Sequence, residues 1–311
     1  MTPVEPSRTV DAVGECMTAL TDGVWALAAV IDVLERGPQQ SYPADDLPAG
    51  VLASLGLLMQ SPVGFAPAPG FEAFLAQQGP ARAAAARSVL GQVATLMGRG
   101  ALHEGWTAQD DETLKAQGAA SARGIGFMLA GLFAQLPGLE ERLRAAGAAF
   151  LDVGAGVGAI SCAFADAIPT LTVVGVDPFE RVHRLAEQEV AARGLGTRVS
   201  MRLCGVEDVE DDAAFELAWI PAPFLPPAAF RRGLHNLFRA VRPGGWVLAG
   251  MGRLEGDDLS SAVTRWQTTL IGGTPLTPGE AGALLTEAGF ADPITLQTPP
   301  GAPVLVAAKR A

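Results

Sequence analysis

The chain has 311 residues, 49% hydrophobic and 18% charged, with mean hydropathy +0.27; such a composition buries a core and excludes a disordered or fibrous chain. Its length points to about two domains. Twenty-two basic against 33 acidic side chains give a net charge of −11, spread over both halves, which excludes nucleic acid and anionic membrane as primary partners and leaves a small molecule.

The start, MTPVEPSRTV, has neither the basic nor the apolar region of a leader, and the longest apolar run, Val24 to Ile31, is too short to span a bilayer. A cytoplasmic protein is expected. Apolar residues at three- and four-residue spacing, from Ala19 through Val24 and Leu27 to Leu34, predict a helix that Gly37-Pro38 ends. Leu52 to Leu58 reads as a short apolar helix and Pro62 to Pro67 as a two-stranded turn. Helix, helix and wing make a winged-helix pattern, although an arbitrary helical bundle fits this segment as well. The helix from Val24 to Leu34 has little to bury against, which predicts a homodimer, with Trp25 as a contributor.

A glycine-punctuated link runs from Gly98 to Gly105, followed by helical patterns from Asp110 to about Leu132 and from Leu139 to Ala146. At Phe150 the period changes. Near-continuous apolar runs at Phe150–Val153, Leu171–Asp177, Val199–Leu203, Leu217–Ile220 and Trp246–Ala249 alternate with helical patterns, which predicts a parallel sheet covered on both faces. The last two runs, Ile294–Leu296 and Val304–Val306, are joined by a connection too short for a crossover helix, so they must pair antiparallel. The expected domains are 1–100, helical and winged-helix-like, and 101–311, with 101–149 as linking helices.

Leu151-Asp152-Val153-Gly154-Ala155-Gly156-Val157-Gly158 closes a strand and opens a helix. Glycines there let backbone approach a ligand, and the helix N-terminus offers unpaired N–H groups, so a nucleotide-like ligand is expected. The spacing also fits a relaxed dinucleotide fingerprint, and Asp177, at the end of the next strand, suits ribose hydroxyls in either case. Three features favour a cationic ligand over a dinucleotide. Asp152 stands two residues before the first glycine, where a pyrophosphate would be repelled and an amino or sulfonium group attracted. The motif lies in mid-chain behind a helical domain, and the sheet closes with an antiparallel hairpin.

On LDVGAGVG, VVGVDPFE, FELAWIPAPFLP, VRPGGWVLAG and the tail LTPGEAGALLTEAGFADPITL, the sequence resembles the class I S-adenosylmethionine-dependent methyltransferases, of the two-domain small-molecule type with an N-terminal winged-helix dimerisation region. The resemblance implies an α/β fold: a Rossmann-like seven-stranded sheet with an antiparallel C-terminal hairpin, plus the mainly helical N-terminal domain. It implies S-adenosylmethionine as cofactor, a small-molecule acceptor such as a secondary metabolite, and a homodimer. Gly154, Gly156 and Gly158 would line the methionine and ribose moieties, Asp152 would lie beneath the amino group, and Asp177 would bind the ribose. Pro178 and Phe179 would flank adenine, Phe179 being alternatively a core aromatic. Val206 stands where the family's adenine-binding acid is expected, so Glu207, Asp208 or a backbone group would substitute. Trp219 and Pro221 would approach the sulfonium.

The family's plant-type O-methyltransferases carry a catalytic His after the fourth strand, where this chain has Ile220-Pro221-Ala222-Pro223-Phe224. Methyl transfer would then rest on proximity and orientation. His103, in the link, is the remaining weak general-base candidate, whereas His183 and His235 read as solvated helix residues. Trp106, Gln117, Ser121, Phe224, Met251 and Trp266 are candidates for the acceptor pocket, with ordinary packing as the alternative for Trp106, Met251 and Trp266 and a polar helix face as the alternative for Gln117 and Ser121, which could also touch the cofactor. A second functional class stays open: an enzyme of this fold that keeps the cofactor unreacted and catalyses a pericyclic or other non-methyl-transfer step. Cys16, Cys162 and Cys204 have no metal-ligand spacing.

Overall fold

The computed structural model describes residues 10–99, 110–254, 256, 258–299 and 302–311. The chain divides into two compact units, Met1–Leu90 and Gly91–Ala311. The first contains α1 (Val10–Arg36), α2 (Leu47–Ser54), β1 (Leu58–Ser61), β2 (Gly64–Pro67) and the greater part of α3 (Phe71–Arg99). Asp46 caps α2 by accepting the Ala49 amide at 3.0 Å. Helix α2 stops before Leu55, short of the sequence expectation. Gly56 adopts φ +74°, and the Gly56 and Leu57 amides turn back to the carbonyls of Ala53 and Leu52, both at 3.0 Å. This left-handed cap sends Leu58 into a strand that pairs antiparallel with β2. Val33, Leu34, Tyr42, Leu52, Leu58 and Leu75 form the core of this unit.

By length and composition α1 passes as a membrane-crossing helix from Ala12 to Arg36, mean hydropathy 1.5. Its last turns are committed elsewhere, because Ile31, Val33 and Leu34 are buried. The part left outside the core is shorter than the ~20 apolar residues a span requires and contains Glu15 and Asp22.

The second unit holds the remainder of α3, then α4 (Asp111–Arg123), α5 (Ile125–Gln135), α6 (Leu139–Arg144), β3 (Ala149–Val153), α7 (Ala159–Ala167), β4 (Thr172–Asp177), α8 (Glu180–Ala192), β5 (Val199–Leu203), β6 (Phe215–Pro221), α9 (Pro227–Ala240), β7 (Val241–Met251), α10 (Leu259–Leu270), α11 (Pro278–Glu287), β8 (Ala291–Leu296) and β9 (Val304–Lys309). The sheet order is β5-β4-β3-β6-β7-β9-β8. Strand β9 runs antiparallel to both β7 and β8, and the other neighbours are parallel. The seven-stranded sheet and its antiparallel closing hairpin therefore match the fold expected from the sequence.

Both faces of the sheet are covered, which explains the continuous apolar strands. Along β6, Ala218 and Ile220 pack with Phe230, Leu234 and Leu285 on one face, while Leu217 packs with Leu132, Leu143 and Phe164 on the other. The pattern from Asp110 to Leu132 is two helices rather than one, broken at Gly124, which ends α4 and starts α5. The break lets Ile125, Leu129 and Leu132 join the sheet core while Leu114 packs separately with Val157 and Val182. Cys162 is buried, Cys16 and Cys204 are half-buried, and all three are free thiols.

Candidate functional site

Strand β3 lies between β4 and β6. The chain winds outward from β3 through β4 to β5, then returns to the other side at β6, so the carboxyl ends of β3 and β6 open a crevice at a topological switch point. Gly154, Gly156 and Gly158 line the turn out of β3 with φ +64°, +57° and +74°. The amides of Gly154 and Ala155 both bond to the Val176 carbonyl, at 2.9 and 3.1 Å, which ties the turn to β4. Gly158 caps α7 without a side-chain bond, leaving first-turn amides for a ligand. A Cβ on Gly154 would sit 3.5 Å from Pro221 Cγ and 3.6 Å from Leu225 Cδ1, and one on Gly158 3.2 Å from Ala186. The loop therefore faces the end of β6 and rests on α8.

Asp177 ends β4 and is almost fully buried. One of its oxygens accepts the Gly156 amide and the other the Phe179 amide, each at 3.0 Å. Burial pushes its pKa up and the two amides pull it down. Two acceptor atoms with lone pairs to spare at the mouth of the crevice suit a vicinal diol.

Asp152 is inaccessible to solvent. Its Oδ2 accepts the Ser161 hydroxyl at 2.6 Å, and its Oδ1 is buried with no hydrogen-bond partner. Burial, with a smaller repulsion from Asp177, pushes the carboxyl up to about 7 against the Ser161 hydrogen bond. Buried polar atoms are seldom left unpaired, and an oxygen of this kind beside a glycine turn fits the ammonium end of an amino-acid-bearing ligand.

The other expected cofactor residues divide. Pro178 and Phe179 are exposed beside Asp177, and Pro221 is buried against the glycine turn. The Trp219 ring lies across Gly250 on β7, so close that a Cβ there would overlap it. The Val206 side chain is buried in the core and presses on Gly233 of α9, which leaves only its backbone for a ligand. The carbonyls of Val206 and Glu207 are taken by Asn236 Nδ2, at 3.1 and 2.7 Å. The Glu207 carboxylate folds over Gly205, 3.6 Å from Arg232.

Gln117 and Ser121 are half-buried on α4, with the Ser121 hydroxyl donating to the Gln117 carbonyl at 3.0 Å. Between them is Gly118, where a Cβ would overlap Val157 Cγ2, so α4 lies directly on the glycine turn. Sequence reasoning passed over Gly118; the signal was an isolated glycine in an alanine-rich helical pattern. Phe224 is partly exposed in the turn after β6, and Trp266 is exposed on α10. For Met251 the packing alternative holds: it is buried in the core, because the β7–β9 ladder runs through it to Val304. His103 and Trp106 lie outside the described residues. His183 differs from the solvated residue expected, with its side chain 15% exposed and Nδ1 buried without a partner. His235 is exposed. Among the described residues no cluster of His, Cys, Asp and Glu forms a metal site.

Residues 150–245 match the family model described as a methyltransferase domain. Solved structures share the fold over nearly the whole chain. An O-methyltransferase family protein from Burkholderia thailandensis superposes with TM-score 0.68 at 17% identity, covering 98% of this chain and 99% of the other. The mitomycin 7-O-methyltransferase MmcR gives 0.62 at 18%, covering 97% and 98%. Human N-acetylserotonin methyltransferase, solved with S-adenosylmethionine, gives 0.60 at 16%, covering 100% of both chains. No curated protein matches the sequence. Residues 150–245 thus match a methyltransferase domain, and the chain shares its fold with these solved methyltransferases.

Proposed function

We propose that the chain transfers the methyl group of S-adenosylmethionine to a small-molecule acceptor, a secondary metabolite, by holding donor and acceptor in line. The observation that carries this reading is the buried Asp152 with its open Oδ1, set beside a glycine turn and the diol-accepting Asp177. The donor, when bound, supplies an electrophilic methyl group on a sulfonium. Asp152 takes its ammonium, Gly154, Gly156 and Gly158 let the backbone approach it, and Asp177 holds its ribose. Pro178 and Phe179 flank the adenine, with Glu207 and the backbone at Val206 beyond, while Trp219 and Pro221 wall the sulfonium end.

Gln117, Ser121, Phe224 and Trp266 are the described residues proposed to face the acceptor, together with Trp106 from the link. The turn Pro221-Ala222-Pro223-Phe224 presents no titratable group, which supports catalysis by positioning, worth up to ~7–11 kcal/mol of a barrier. His103 is the one weak base in this proposal. Nothing among the described residues speaks for a cofactor held unreacted. The helix, helix and hairpin order of α1, α2, β1 and β2 supports a winged-helix-like dimerisation domain at 1–100 ahead of a catalytic domain at 101–311. Val13, Met17, Leu20 and Val24, exposed at four- and three-residue spacing on α1 with Trp25 beside them, support a homodimer seam. The protein is read as soluble.

Incubation with S-adenosylmethionine and candidate pathway metabolites, followed by mass spectrometry, tests the activity. Stoichiometric methylated acceptor and S-adenosylhomocysteine are expected. Turnover that persists when S-adenosylhomocysteine replaces the donor would overturn methyl transfer.

A further inference from the structure

We infer that Ser161 is a positioning residue for donor binding: its hydroxyl pins Oδ2 of Asp152 and leaves the buried, unpaired Oδ1 as the acceptor for the donor's ammonium. The inference rests on the donor site proposed above. Ser161 is itself fully buried in the first turn of α7, and its Oγ lies 2.6 Å from Asp152 Oδ2. A carboxylate beneath the positive end of a helix is stabilised there. Without the hydroxyl, the carboxyl would keep only the weaker contribution of the Ser161 backbone amide and could turn about its χ2 torsion, so orientation and ionisation would weaken together.

The ionisable group that acts on Asp152 is Asp177 of β4, which opposes its charge; the Cys162 thiol of α7 lies near enough for Asp152 to act on it, its own pKa being raised chiefly by burial. His183 of α8 acts on Asp177. Since burial holds the Asp152 carboxyl near neutrality and the Ser161 hydrogen bond pulls it down, an ammonium ligand binds by displacing a proton. Affinity then rises with pH toward a plateau above neutrality. Removing the hydroxyl shifts that rise upward, because the ionised form loses its main hydrogen bond.

Calorimetric titration with S-adenosylhomocysteine from pH 6 to 8.5, on the full chain and its variants, separates the possibilities. Methylthioadenosine, which has the nucleoside but no ammonium, is the companion ligand. Ser161→Ala is expected to bind S-adenosylhomocysteine about tenfold more weakly at pH 7, with a smaller loss at pH 8.5, and to bind methylthioadenosine as the parent does. Ser161→Thr should restore the parental profile, and Asp152→Asn should bind S-adenosylhomocysteine weakly with no pH dependence. An unshifted pH profile in Ser161→Ala, or equal losses for both ligands, would overturn the positioning role while leaving the donor site intact. Failure of the parent chain to bind either ligand would overturn the donor reading and this inference with it.

Discussion

At the scale of single residues, the proposed donor site rests most on Gly154 and Asp152. Gly154 sits at φ +64°, a region costing a side chain ~1–2 kcal/mol, and its missing Cβ faces Pro221 and Leu225. Gly154→Ala is expected to fold, as judged by circular dichroism, yet to bind S-adenosylhomocysteine at least tenfold more weakly in a calorimeter; unchanged affinity would remove the turn from the site. Asp152 also shapes stability in the absence of ligand. Its folded pKa of about 7 lies above the ordinary 3.8, so the folded state holds a proton that the unfolded chain releases. The stability it contributes is fully present below pH ~4 and is lost as pH rises through 7. Between pH 5 and 8 the urea midpoint should therefore fall more for the parent chain than for Asp152→Asn, and parallel slopes would contradict the buried, protonated carboxyl. LDVGAGVG and Asp177 were legible in the sequence because glycine's freedom and an acid at a strand end are local properties. Whether Met251 joins the pocket or the core was not, because it depends on which neighbour strand and helix the position meets.

Among the elements, α4 decides how the glycine turn is covered. Gly118 allows it to touch Val157, and the Asp111–Arg181 ion pair at 2.5 Å joins its first turn to α8. Gly118→Ala must push the helix off the turn, at a cost of ~1–3 kcal/mol. A lowered thermal midpoint together with weakened donor binding is expected, and a loss of stability alone would separate α4 from the site. Its ion pair is half exposed, and such pairs are worth only ~0.2–1 kcal/mol. The sequence over Asp110–Leu132 is compatible with one helix, since one interior glycine costs only ~1 kcal/mol. The break at Gly124 is a tertiary effect: α5 turns its apolar residues to the sheet while α4 serves the turn. Similarly, Leu52–Leu58 is apolar throughout, and only the left-handed Gly56 separates the helical half from the strand half.

For the whole molecule, apolar runs alternating with helical patterns made the covered parallel sheet legible, and the short final connection made its antiparallel edge legible. Assembly was less so, because exposure cannot be read from composition. The apolar stripe on α1 is nevertheless the kind of exposed patch that marks an interaction surface, and the proposed partner is a second copy of the chain. Sedimentation is expected to give twice the 32.0 kDa of the chain, and a paired Leu20→Asp, Val24→Asp variant should sediment as a monomer. A monomeric parent chain would overturn the dimer. Most direct for the donor site itself is a crystallographic difference map of the S-adenosylhomocysteine complex. The ligand is expected at the carboxyl ends of β3 and β4, its ammonium on Asp152 Oδ1 and its ribose on Asp177; density elsewhere, or an Asp152 Oδ1 still unpaired beside the bound ligand, would contradict it.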